Sequence, residues 1–222
     1  MILNWDEIDK VIYINLKNRV DRDENIKKEI RYLNIPDHKV YRLDARRHLL
    51  GHIGCAQSHL AALDIAIEKG WGNIMILEDD MFFNKNDNNK NHINYMLKAL
   101  SVINWDVMLL SANYNKVIKF KSNNKFIKPL QAWCACAYIV NSSYRAILRD
   151  NFSQSVAMLL QGGAKHSFAL DVTWMSLMKK DRWFGMYPVA GHQSSGQSDI
   201  ENCSVDYENL FYKDLESIAC KV

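Results

Sequence analysis

The sequence predicts an α/β fold, a mostly parallel central sheet with helices on both faces. Three observations predict it. Short apolar, β-branched runs recur at Val11-Ile12-Tyr13-Ile14, Ile74-Met75-Ile76-Leu77, Val107 to Leu110 and Ala135 to Val140, in the manner of strands buried on both sides. Segments with helical spacing separate the first of these strands. The 222 residues are 48% hydrophobic and 24% charged with only 3 Pro and 9 Gly, which provides for a real core and excludes a disordered or collagen-like chain.

Along the chain, Val11 to Ile14 is a strand ending at Asn15, and the charged segment Lys17 to Arg31 is the solvated helix that follows. A weaker strand is expected over Lys39 to Leu43. From Gly54 onward Ala56, Leu60, Leu63 and Ile67 recur at helical spacing, and Gly70 and Gly72 stop that helix before the strand Ile74 to Leu77. Asn84 to His92 carries Asn and Lys without periodicity and reads as an exposed loop. Next come a helix near Ile93 to Val102, the strand Val107 to Leu110, a polar hairpin region around Lys116 to Lys128, the strand Ala135 to Val140 and a helix capped by Ser142. In such a sheet, ligands bind beyond the carboxyl ends of the strands.

The charge balance is 28 basic against 25 acidic residues, a net of +3, too small for a nucleic-acid field. Five cysteines without a Cys-x-x-Cys pair, and a start lacking a basic segment followed by an apolar one, point to a reduced, cytoplasmic setting. No apolar run approaches the roughly 18 residues of a membrane helix, so no transmembrane segment is expected.

The sharpest chemical feature is Glu78-Asp79-Asp80, placed directly after a buried strand. In extended backbone, residues two apart project to the same side, so Glu78 and Asp80 can hold a hard divalent ion while Asp79 faces elsewhere; the bland alternative is an acidic surface turn. Arg19 and Arg22 follow the first strand and would reach the same sheet edge, to bind phosphate or to form local ion pairs. Cys55, Ser58 and His59 open the long helix. A Cys/His pair four apart suggests a nucleophile or zinc, but no third ligand stands at suitable spacing, and a core cysteine with a hydrogen-bonded histidine explains it as well. Cys134 and Cys136 lie in an apolar strand pattern. Asp171 precedes a helical stretch, as an N-cap or as a carboxylate aimed into a cleft. The polar, glycine-containing segment from Gly191 to Ile200 is either flexible or folded around a ligand.

In order, these pieces resemble glycosyltransferase family 25, the lipooligosaccharide and procollagen β-galactosyltransferase-like group. The resemblance rests on Tyr13-Ile14-Asn15-Leu16 with Arg19, Asp21 and Arg22, on Gly51-His52-Ile53-Gly54-Cys55 with Ser58-His59, and on Leu77-Glu78-Asp79-Asp80. Ala137-Tyr138-Ile139-Val140, the Asp171 segment, Gln193 and Ser198-Asp199-Ile200 complete it. It implies a GT-A type fold, a Rossmann-like sandwich, as a single domain over residues 1–222, with a nucleotide-binding part over about 1–112 and an acceptor side over about 113–222.

The implied activity is inverting transfer of galactose or glucose from a UDP-sugar to a hydroxyl of a glycan or protein acceptor, assisted by Mn²⁺ or Mg²⁺. The alternative is a catalytically silent member that binds a nucleotide-sugar or glycan. The resemblance implies Glu78, Asp80 and His192 as metal ligands and Asp171 as the base. Asn15, Leu16, Arg19, Arg22, Gly54, Ser58, His59, Asp79, Gln193, Ser198 and Asp199 are implied as nucleotide-sugar contacts. With no anchor or second transferase domain, a soluble, free-standing enzyme is expected.

Overall fold

The protein is described by a computed structural model covering residues 2–121, 123–200 and 203–220. The chain opens with β1 (Lys10–Asn15), α1 (Val20–Tyr32), β2 (Val40–Asp44), α2 (Gly51–Glu68), β3 (Ile74–Glu78) and β4 (Met81–Phe83). Helix α3 (Asp87–Ala99) leads to a long hairpin of β5 (Val107–Phe120) and β6 (Asn123–Val140). After α4 (Arg145–Leu160) come three short helices, α5 (Lys165–Phe168), α6 (Leu170–Thr173) and α7 (Met175–Lys180), then β7 (Trp183–Met186) and β8 (Gly191–Gln193). The chain closes with β9 (Gly196–Gln197), β10 (Ser204–Val205), α8 (Glu208–Phe211) and α9 (Leu215–Ile218).

Six strands form the central sheet in the order β2-β1-β3-β6-β5-β7. Strands β1, β2 and β3 are mutually parallel, β6 is antiparallel to both β3 and β5, and β7 is parallel to β5. Five strands therefore run one way and β6 runs against them. Every residue from Val11 to Asn15 and from Ile74 to Leu77 is buried, so both faces of the sheet are covered there, as the unbroken apolar runs predict. The crossover through α1 moves from β1 to the sheet edge, and the one through α2 moves back across β1 to β3. With right-handed crossovers these opposite directions place α1 and α2 on opposite faces. β1 lies between the two strands that flank it, so the carboxyl ends of β1 and β3 meet at the point where the strand order reverses.

Three local expectations need correction. The segment Asn84 to His92 is largely helical: α3 starts at Asp87, the Asn86 side chain accepts the Asn89 amide as its cap, and Asn89, His92, Ile93 and Met96 form its buried stripe. Its buried polar residues hid the periodicity. Asn89, for one, is satisfied by the carbonyls of Asn84 and Ala190. The polar hairpin expected around Lys116 to Lys128 is present as the tip of the β5–β6 pair, with both strands running on into it. Ser142 is not the cap of α4; Tyr144 stands at the start of that helix and makes no side-chain cap bond. Asp171 is no N-cap either, since Ala169 precedes α6 and the aspartate sits in its first turn.

Aromatic rings join the later elements of the chain to the earlier ones. Trp174 lies 5.4 Å from Trp183, 5.8 Å from Tyr138 and 6.4 Å from Phe152 between ring centroids, and its indole N–H donates to the Ala132 carbonyl. These contacts fasten the α6–α7 segment to β6, β7 and α4 at once. No described helix is long and apolar enough to cross a membrane. Trp174 is fully buried, so Trp174→Ala should lower unfolding stability by about 3–5 kcal/mol in a urea titration.

Candidate active site

The strand ends fix the site. Ile14 pairs with Glu78, so Asn15 and the Asp79-Asp80 turn lie together just beyond the sheet. The small β4–β8 pair, with Met81 opposite Gln193, lays Gln193 next to the same turn. Because β6 runs the other way, with Ala137 opposite Leu77, it enters the sheet at this end and brings Trp133, Cys134 and Ala135 to the wall. A cavity of about 870 Å³ opens here, lined by Leu16, Arg22, Gly54, Ser58, His59, all three residues of the acidic triplet, Asp171, Gln193, Ser198 and Asp199.

The three carboxylates are held differently. Glu78 is surrounded by donors: His59 Nε2 lies 3.1 Å from its Oε1 and Cys55 Sγ 3.5 Å, while Gln193 donates to Oε2 at 2.8 Å. Burial disfavours its charge, but the His59 and Cys55 contacts and the charge of Arg22 outweigh it and hold the carboxyl below its ordinary value. Asp79 accepts from Asn15 at 2.7 Å and Arg22 at 3.0 Å, yet burial still raises its pKa. Asp80 takes Arg22 at 3.1 Å and Gln193 at 3.5 Å. Burial first, and then the neighbouring charge of Glu78, push Asp80 up to about 7. Glu78 and Asp80 share Gln193 and Asp79 turns towards Asn15, so the turn divides its carboxylates between two sides.

The arginines serve this cluster and the closing loop. Arg22 spans Asp79, Asp80 and the Gln197 carbonyl, and Arg19 joins Asp21, Asp199 (2.5 Å) and the same carbonyl. Arg19 and Asn15 do not line the cavity; Asn15 is buried under Asp79, with Arg42 donating to its side-chain oxygen. The Ser58 hydroxyl donates to Gly54 O at 2.6 Å and accepts the Arg46 amide at 2.8 Å, which ties the segment after β2 to α2. Gly54 is required by that approach, since a Cβ there would come within 2.5 Å of the Arg46 carbonyl. Ser198 and Asp199 reach the wall with the closing loop.

His192 is not brought to the carboxylates. Alternation along β8 turns Gln193 towards them and His192 away, against Phe82 and the Tyr212 hydroxyl, which lies 2.8 Å from Nδ1. Asp171 reaches the cavity from α6, and its Oδ2 accepts the Cys134 amide at 3.0 Å. Cys134 holds a φ of +67°, and this bond stabilises that turn of β6. Burial, reinforced by the charge of Glu78, raises the pKa of Asp171.

Some contributors were not singled out from the sequence. Arg46 and Arg47, exposed just past β2, line the cavity mouth. Their position after a strand was the available signal, and the weakness of that strand obscured it. Tyr138, whose hydroxyl lies 2.8 Å from His59 Nδ1, orients the histidine from β6; in the sequence it stands only within the motif Ala137-Tyr138-Ile139-Val140, with no sign of this contact.

Residues 37–145 match the model of glycosyltransferase family 25 (LPS biosynthesis protein). Through that region the chain is similar to glycosyltransferase family 25. The family region holds Arg46, Gly54, Ser58, His59 and the acidic triplet, while Asn15, Arg19, Arg22, Asp171 and the closing loop lie outside it. No curated protein matches the chain significantly.

Among solved structures, the chain is similar to a mannose-1-phosphate geranyltransferase from Thermus thermophilus (TM-score 0.50, 10% identity, 94% of this chain and 80% of that one). That likeness shows the fold alone. A glycosyltransferase involved in the glycosylation of the major capsid of PBCV-1 matches with a TM-score of 0.46 and 12% identity over 80% of this chain and 92% of that one.

The Asp80 environment sets a pH dependence. Folding raises its pKa from the ordinary 3.8 to about 7, so between these values the folded protein keeps a proton that the unfolded chain releases. This group's contribution to stability is therefore lost as pH rises through that window. Without ligand, Asp80→Asn should flatten the fall in stability between about pH 4 and 7 in chemical-denaturation curves; a slope equal to that of the parent protein would refute the assignment.

Proposed function

We propose that this chain is a family 25, single-domain, inverting glycosyltransferase that moves galactose or glucose from a UDP-sugar to a hydroxyl of a glycan or protein acceptor. The observation that carries the reading is the acidic triplet at the end of β3, gathered beside a cavity of about 870 Å³ that also holds Asp171. Glu78, Asp79 and Asp80 place three carboxylates where one guanidinium, that of Arg22, answers two of them, and Asp80 is kept from ionising by its surroundings. A hard divalent cation, Mn²⁺ or Mg²⁺, fits this donor set, with Glu78 and Asp80 as its carboxylates. When bound, such an ion neutralises charge on the departing diphosphate.

The chain's own residues do the rest. Asn15 and Arg22 fix Asp79, Gln193 aligns Glu78 with Asp80, and Arg46 and Arg47 at the mouth offer forked donors to phosphate oxygens. Inversion needs a base on the face opposite the leaving group. Asp171 arrives from α6, an element separate from the strand end that carries the triplet, and burial raises its pKa, which makes its carboxylate a stronger base. The proton of the acceptor hydroxyl passes to its carboxylate as the new glycosidic bond forms.

Incubation with Mn²⁺ and UDP-galactose or UDP-glucose, with acceptor sugars present, should release UDP. Asp80→Ala should abolish metal-dependent nucleotide binding. Asp171→Asn should bind UDP-sugar as tightly as the parent and turn over about 10²–10⁴-fold more slowly. Binding of UDP-sugar without UDP release under any acceptor would favour the silent, binding-only member, and a full-rate Asp171→Asn protein would remove Asp171 from the mechanism.

A further inference from the structure

We propose that Cys55 Sγ, His59 Nε2 and Glu78 Oε1 form a binding site for a zinc-class transition-metal ion, open to the cavity. Cys55 and His59 stand one turn apart on α2, and the third donor comes from the end of β3, 19 residues beyond the histidine, where no local spacing reveals it. The three donor atoms lie within 4.8 Å of one another. Sγ is 3.5 Å and Nε2 3.1 Å from Oε1. A tetrahedral ion with bonds of about 2.3 Å to sulfur and 2.0–2.2 Å to nitrogen and oxygen has S···O and N···O edges of about 3.5 and 3.3 Å. Both edges to Oε1 therefore already stand near the spacing that such an ion imposes.

The surroundings orient each donor as metal sites require. The Tyr138 hydroxyl lies 2.8 Å from His59 Nδ1, and its ring stacks on the imidazole at 5.8 Å. Gln193 holds the other Glu78 oxygen at 2.8 Å and so turns Oε1 towards Cys55 and His59. All three donors line the cavity, which gives an ion its path and leaves a fourth position for water or another ligand. Sulfur with imidazole selects a borderline-soft ion over Mg²⁺ or Mn²⁺. The site thus differs in chemistry from the carboxylate pair Glu78 and Asp80, with which it shares one residue but uses the opposite oxygen.

Binding balances without any redox step. The Cys55 thiol releases its proton to solvent as the metal–sulfur bond forms. Once His59 Nε2 holds the ion it carries no proton, and the Nδ1 N–H donates to the Tyr138 oxygen.

The test uses metal alone and needs no sugar-nucleotide, so it succeeds or fails independently of the transferase reading. Titration of the whole protein with Co²⁺ should give one equivalent of binding with a thiolate-to-cobalt charge-transfer band, displaced by Zn²⁺. Cys55→Ser should remove that band and weaken Zn²⁺ about tenfold or more, while Cys203→Ser, which changes an exposed cysteine, should retain both. In the unmodified chain, Zn²⁺ should slow iodoacetamide labelling of Cys55 but not of Cys203, a measurement that does not depend on how the variants fold. A band that survives in Cys55→Ser, no band in the parent protein, or unprotected Cys55 would overturn the proposal.

Discussion

The crowding of three carboxylates at the end of one buried strand is the constraint to which the rest of the site answers. Like charges this close, partly shielded from water, cannot all ionise without donors or cations. Asn15 from β1, Arg22 from α1, Cys55 and His59 from α2, and Gln193 from β8 each bring a donor to Glu78, Asp79 or Asp80. Several elements therefore converge on one turn, and the residual tension is visible in Asp80, which stays poised near neutrality. A site in this condition favours cations, which is the physical basis for both metal proposals.

The direction of β6 decides which parts of the chain meet. A parallel strand there would deliver its last residues to the carboxylates, but β6 delivers Trp133 to Ala135, well before its end, and then runs away beneath the site. The unusual backbone at Cys134 presents its amide to Asp171, so the aspartate and the β6 turn hold each other. The aromatic contacts of Trp174 anchor the same segment from below.

Much of this was legible before the structure. Unbroken apolar runs specify strands covered on both faces, and a carboxylate triplet at the exit of such a run specifies a ligand edge. Partners drawn from distant elements were not legible. The third neighbour of Cys55 and His59 lies on another strand, and the turning of His192 away from Glu78 depends on a two-strand register that no periodicity encodes. Helix α3 was obscured because Asn89 and His92 on its buried stripe are polar residues satisfied by backbone carbonyls, which hydrophobic patterning ignores. Asp171 offers two options, cap or cleft, and what separates them is where α6 begins, at Leu170, earlier than the sequence marks.

The pairing of β7 has a bearing on self-association. This short strand bonds to the start of β5 on one side and, through Gly185 and Met186, to the start of β6 on the other, so the hairpin curls round to cover it. Gly185 permits this, because a Cβ would collide with the Tyr114 hydroxyl. At the other border, β2 pairs with β1 on one side among the described residues, and it carries Arg42 and Asp44 locked in an ion pair. Charged side chains on a short rim strand discourage another molecule from extending the sheet. The fold thus closes one border of its sheet with its own backbone and guards the other with charge, so neither border offers a bare strand for a second sheet to extend.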